Sequence, residues 1–260
     1  MNWIDAVHSA HIDNTPFVLV TIVSVEGSSP RSAQSKMVVT ASETFDSIGG
    51  GALEFDCIEH ARQLLLQNHK SVEQKQFTLG KDLEQCCGGR VSVMFECYPG
   101  SDFSFALFGA GHVGRAVVRI VSELPCHVIW LDHRDGLVRA VHSELGSPTN
   151  VSVVDVENSY TTVEELPTGI SVLIMTHSHE LDMELCEAAL SRPDINYCGL
   201  IGSESKSAKF RSRLSKKGFT QEELSRLVCP VGLPLTDLKE PMAVAISVVA
   251  ELMQRQSLNT

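Results

Sequence analysis

One stretch near the middle of the chain limits the possible folds more than any other. "FSFALFGAGHVGRAVVRIVSEL" runs an apolar strand into Gly109, Gly111 and Gly114 at G-x-G-x-x-G spacing, and then into a helix. Glycines at those places allow a tight turn, the approach of a pyrophosphate to the backbone, and close packing of helix on strand. The following strand, "CHVIWLDHR", ends in Asp132, where an acidic side chain can accept from a ribose 2′-hydroxyl. His133 and Arg134 beside it leave a 2′-phosphate open as well. Further apolar strands, "NVSVVD", "ISVLIMT" and "INYCGLIGS", are separated by helical stretches such as "ELDMELCEAALSR" and "SESKSAKFRSRLSKKG". This alternation predicts a Rossmann-like, doubly wound parallel sheet over residues 104–260, closed by the helix "EPMAVAISVVAELMQR".

The first hundred residues have a different pattern. "FVLVTIVSV" and "KMVVT" read as strands, "ALEFDCIEHARQLLLQ" as the one helix, and "KQFTLG" and "RVSVMFECY" as segments bracketing "EQCCGGR". They predict a small α/β domain over residues 1–99, with the boundary in the turn-forming "YPGSDFS" at 98–104. The turns "GSSPR" (27–31) and "GGG" (49–51) are ordinary connections or, at the helix start, places where backbone N–H groups could hold an anion.

With 21 Lys and Arg against 32 Asp and Glu, the formal net charge of −11 repels a phosphate backbone, so nucleic acid is not an expected partner. No apolar run approaches the ~20 residues of a membrane span, and the N-terminus lacks a basic start. A cytoplasmic protein is expected.

Of the eight cysteines, Cys57, Cys97, Cys126, Cys186 and Cys198 sit singly among apolar residues and read as core thiols; Cys229, before Pro230, does so less clearly. Cys86 and Cys87 differ. Neighbouring Cα atoms are ~3.8 Å apart, short of the ~4.4 Å at which disulfides begin, so a bond between them would be strained. Gly88 and Gly89 allow close backbone approach, and Arg90 supplies a cation that favours thiolate and can pair with phosphate. Two readings stay open here: a binding or sulfur-chemistry loop, and a Gly-Gly turn with two incidental thiols.

At the end of "VLIM" stands "THSHELD", with His177, His179 and Asp182 at the strand edge that faces a ligand crevice. Two histidines do not make a zinc site, so a proton-transferring or ligand-orienting role is the better reading. Lys206, Lys209, Arg211 and Arg213 read as a solvated helix face. An NAD(P)-dependent oxidoreductase would need His112, His177 or His179 as acid or base beside a nicotinamide.

"EGSSPR", "SIGGGALE", "LEQCCGGRVSVMFE", "LFGAGHVGRAVV", "WLDHR", "MTHSHELD" and "YCGLIGSESKSAKFRSRL" resemble, in order, the successive motifs of the XdhC/CoxI family of xanthine dehydrogenase accessory proteins. The resemblance covers nearly the whole chain; "SAQSKM" and "LKEPMAV" are its departures. It implies a non-enzymatic cytoplasmic chaperone that binds molybdenum cofactor (molybdopterin), protects it while a cysteine desulfurase supports its sulfuration, and inserts it into a xanthine dehydrogenase-type apoenzyme. Cys86 and Cys87 would then meet the molybdenum, with Gly88 and Gly89 closing the backbone on the cofactor. Arg90, the Gly49 to Gly51 turn and Gly109 to Gly114 become candidates for holding phosphate. Asp132, His112, His177 and His179 complete the expected cofactor-binding set, with NAD(P) in the crevice and a homodimer left open.

Overall fold

The apolar strands and the glycine turn sort the chain into two units, Met1–Asp102 and Phe103–Thr260. The computed structural model describes residues 1–27, 31–79, 89–101, 103–156, 158–234 and 239–259.

The first unit runs α1 (Trp3–Ile12), β1 (Phe17–Glu26), β2 (Lys36–Val39), β3 (Thr44–Asp46), α2 (Gly51–Leu66), β4 (Ser71–Thr78) and β5 (Arg90–Tyr98). Its strands pair antiparallel in the order β3-β2-β1-β5-β4. Helix α2 buries Leu53, Cys57, Ala61 and Leu64, spaced to share one helix face, in a cluster with Val20, Ile22 and Phe95 of the sheet. The sequence reading placed one helix here, and the described residues hold two. Helix α1 is capped by Asn2, whose side chain accepts from the N–H groups of Ile4 and Asp5, and it buries Ala6 and Ala10 alone, too thin a stripe to register as periodicity. Strand β4 likewise begins earlier than "KQFTLG": its residues lie opposite β5 from Ser71↔Cys97 onward although most are polar and none is buried, as an edge strand permits.

The second unit runs β6 (Ser104–Phe108), α3 (His112–Val121), β7 (His127–Asp132), α4 (Leu137–Glu144), β8 (Val151–Asp155), α5 (Ser159–Glu164), β9 (Ser171–Ile174), α6 (His179–Ser191), β10 (Cys198–Leu200), α7 (Glu204–Lys216), α8 (Gln221–Ser225), β11 (Leu227–Val228) and α9 (Pro241–Asn259). The sheet is parallel throughout, in the order β11-β10-β9-β6-β7-β8. This is the Rossmann-like arrangement that the strand and helix alternation calls for. Both faces are covered, which is why β6, β7 and β9 read as unbroken apolar runs. One face packs Phe105, Leu107 and Trp130 against α3, α4 and α9; the other packs Phe108, Leu131 and Ile174 against α5, α6 and α7. The direction in which successive strands are added to the sheet switches between β6 and β9, and ligands of such sheets bind outside the carboxyl ends of the strands there.

No described helix is long and apolar enough to cross a membrane.

Asn150 locks the end of α3 to the start of β7. Its side-chain amide donates to the carbonyls of Val121 at 2.9 Å, Cys126 at 3.1 Å and Leu124 at 3.2 Å. Asn150→Ala removes the donor that these three carbonyls share, while Val121 O and Leu124 O keep backbone N–H partners, and chemical denaturation should show a loss of about 1–2 kcal/mol.

Candidate functional site

Two glycine turns and one cysteine loop carry the chemistry read from the sequence. Cys86, Cys87 and Gly88 lie outside the described residues, but the ends of their segment are described. Leu79 N–H donates to Gly89 O at 2.9 Å, so the segment leaves and returns at one end of the β4/β5 pair. There Arg90 pairs across the sheet with Glu26, and its guanidinium lies 3.4 Å from that carboxylate on an exposed surface. Gly27, at φ +78°, is so near that a Cβ on it would meet Gly89 Cα at 3.3 Å. The "EGSSPR" and "CCGGR" motifs, 60 positions apart in the chain, therefore spring from one point.

The Gly49 to Gly51 turn already holds an anion, and it is the chain's own. Glu54 Oε2 accepts from Ser47 Oγ at 2.5 Å and from the N–H groups of Ile48 and Gly50 at 3.0 Å each. Burial pushes the Glu54 carboxyl up, and these hydrogen bonds more than offset it, leaving the group below its ordinary range. An external phosphate at this turn would have to displace that carboxylate.

In the second unit, Gly109, at φ +119°, lies tight against β9, where a Cβ would come within 2.3 Å of Met175 O. A Cβ on Gly114 would stand 2.1 Å from Gly109 O, so α3 rests directly on the turn. Trp130 Nε1 donates to that same carbonyl at 3.1 Å from beneath. Helix α3 begins at Gly111 with no side-chain cap and open space where a Cβ would be; His112, its first residue, is exposed.

Asp132 is where expected, at the end of β7, and it is buried and fully engaged. Oδ2 accepts from Ala110 N–H at 2.6 Å and Arg134 Nη2 at 2.6 Å; Oδ1 accepts from Arg134 N–H at 2.9 Å and Arg134 Nε at 2.8 Å. Burial pushes this carboxyl up, but the Arg134 guanidinium and the Ala110 N–H outweigh burial and hold it at about 2. Beside it His133 stacks on His177, ring centroids 4.9 Å apart and planes 20° from parallel. His179, the first residue of α6, is exposed. A cleft of about 200 Å³, lined by Phe108, Leu131, Val156, Thr176, Leu181 and Leu185 with Gly109, Asp132 and His133, opens at these strand ends. Among the described residues no three His, Cys, Asp or Glu side chains gather as a metal site.

One network was missed from sequence. Lys206 is not on a solvated face: its ammonium donates to Asp182 Oδ2 at 2.7 Å and to Ile201 O at 2.8 Å, with Asp182 fully buried and the Lys206 side chain 11% exposed. Asp182 Oδ1 in turn accepts from Thr176 Oγ1 at 2.7 Å and N–H at 3.2 Å. Arg211 also turns inward, onto the carbonyls of Leu224 and Leu227, while Lys209 and Arg213 stay exposed. The signal was periodicity: 206, 207, 210, 211 and 214 share one side of a helix that buries Ser207, Phe210 and Leu214. Cys57, Cys97, Cys126, Cys186 and Cys198 are buried as read; burial pushes the Cys57 thiol to about 12 and the Cys126 thiol to about 11. Cys229 is half-buried.

Residues 105–252 match the XdhC Rossmann domain, and residues 11–75 match the XdhC and CoxI family. The chain belongs to the XdhC/CoxI family. This XdhC-family chain is 29% identical over 248 residues to the Escherichia coli (strain K12) protein YqeB; the alignment takes in 93% of the chain and 44% of the relative, so the chain spans less than half the length of the curated relative it matches. Its fold is similar to that of a Bacillus halodurans protein described as a xanthine dehydrogenase, with TM-score 0.50 and 20% identity over 100% of this chain and 97% of that one. At that identity the likeness is one of fold.

The depressed Asp132 carboxyl has a stability consequence of definite sign. Its contribution is fully present above the ordinary value of 3.8 and is lost as pH falls through about 2. A shift of nearly two units corresponds to about 2 kcal/mol. The stability difference between wild type and Asp132→Asn, from urea unfolding, should therefore shrink by about 2 kcal/mol between pH 6 and pH 2.

Proposed function

We propose that this XdhC-family chain binds molybdenum cofactor as cargo, supports its sulfuration by a cysteine desulfurase, and passes it to an apoenzyme of the xanthine dehydrogenase type. Family membership supports a role beside molybdenum enzymes. The observation that carries the finer reading is the junction of Gly27 with Gly89, which brings two of the family's motifs to the base of the segment that contains Cys86 and Cys87. The cofactor brings its own dithiolene sulfurs and a terminal phosphate, so a carrier has few soft donors to add, and adjacent thiolates are the ligand type that suits such a metal. Arg90 stands at the same base, paired on the surface with Glu26, and is placed to exchange that carboxylate for an anionic group of the cargo. Such a pair is cheap to open, because exposed ion pairs contribute ~0–1 kcal/mol.

The role is one of holding and transfer rather than turnover. Cys86 and Cys87 would bind the cargo's metal end, and release would follow from competition by the client's own site.

The reading is tested on protein co-produced with cofactor synthesis, by elemental analysis for molybdenum and fluorescence of the released pterin. Wild type should carry stoichiometric metal and pterin, and Cys86→Ser or Cys87→Ser should lose most of both. Wild type free of molybdenum but copurifying with a nicotinamide nucleotide would favour an oxidoreductase instead.

A further inference from the structure

Helix α2 of the first unit has two faces. Leu53, Cys57, Ala61 and Leu64 lie on the side that meets the sheet and are buried. Phe55, Glu59, Arg62 and Leu66 fall within ~60° of one another on the opposite side, so they form one outward stripe. Its two ends are apolar and open: Phe55 is 64% exposed and Leu66 86% exposed. A lone exposed apolar residue is ordinary, but two on one stripe, about 16 Å apart along the axis, outline a contact three turns long.

The order of side chains along the stripe points to what covers it. Apolar, acidic, basic and apolar residues follow one another at separations of four, three and four positions. Turned end for end, the stripe keeps its spacing and exchanges acid for base. An antiparallel copy of α2 therefore sets Phe55 beside the partner's Leu66 and Glu59 beside the partner's Arg62, each contact occurring twice about a two-fold axis. A parallel copy would set acid on acid and base on base. Within one chain these two charges are poorly used. Arg62 Nη1 lies 3.8 Å from Glu59 Oε1, beyond hydrogen-bond length. Arg62 Nε is buried and has no hydrogen-bond partner among the described residues. Turning toward a carboxylate across the axis would take that donor out of its unsatisfied position and give the guanidinium a charged acceptor.

We propose that the outward stripe of α2 is an isologous interface whose occupant is a second copy of this chain, packed antiparallel across a two-fold axis. The apolar ends supply the burial, and the two central ion pairs set orientation and register. With a formal net charge of −11, two copies repel at a distance, so the central pairs select the geometry more than they drive encounter. A helix contact of three turns lies at the low end of specific interfaces, under ~1,200 Å² in total, and makes a reversible dimer. The pairing is independent of cargo carrying and forms with or without molybdenum.

The test is sedimentation velocity of the full chain over a wide range of concentration, comparing wild type, Glu59→Arg, Arg62→Glu, the double variant that carries both, and an equimolar mixture of the two single variants. Wild type should pass from monomer to dimer as concentration rises. Each single reversal sets like charges face to face at both central contacts and should weaken self-association by roughly a hundredfold. The double variant restores opposite charges across the axis and should dimerise as wild type does. So should the mixture, in which charges are alike within each chain and opposite between chains; a pair that acted only inside one chain could not give that rescue. Wild type that stays monomeric overturns the proposal without need of any variant. Undiminished dimerisation of the single variants overturns it too, by placing the interface elsewhere, and so does a mixture that stays monomeric although circular dichroism shows both variants folded.

Discussion

The second unit depends on one carboxylate. Asp132 holds the Ala110 N–H, and through it the whole β6–α3 turn, against the end of β7. Everything else at this edge is fitted around that contact. Gly109 presses on Met175, just past the end of the neighbouring strand β9, Trp130 supports the Gly109 carbonyl from below, and Gly114 brings α3 down onto it. A buried charge is costly unless its lone pairs are met, and the four donors around Asp132 meet them all. The turn is therefore set before any ligand arrives.

The first unit solves a similar problem with Glu54. In both units a glycine turn offers backbone N–H groups, and in both a side chain of the same chain accepts from them. Backbone N–H groups at a turn must find a partner somewhere, and a carboxylate within reach is the least demanding one. A glycine-rich turn is thus a sign of backbone demand before it is a sign of a ligand.

What was legible in the sequence follows from this. The spacing of Gly109, Gly111 and Gly114, the terminal Asp132 and the apolar runs of β6, β7 and β9 are local patterns, and they point correctly to a parallel sheet. The buried single cysteines were legible for the same reason, through their apolar neighbours. The partners were not. Glu54, Arg134 and Lys206 are ordinary surface-type residues in sequence, and only the folded chain turns them onto Gly50, Asp132 and Asp182. Lys206 and Lys209 are three residues apart on one helix, yet the first is ion-paired inside and the second exposed. Helix α1 and strand β4 escaped because each buries little and so leaves little apolar rhythm to read.

The pair formed by Asp182 and Lys206 links the first turn of α6 to the first turn of α7, with Thr176 after β9 as a third member. Removing one member of a buried pair leaves a naked charge at a cost of ~3–5 kcal/mol, a large part of a typical domain's ~5–15 kcal/mol. Drift through a lone substitution at either position is therefore nearly closed. Descendants of this sequence should keep both residues or exchange both, so that positions 182 and 206 are inherited as one character.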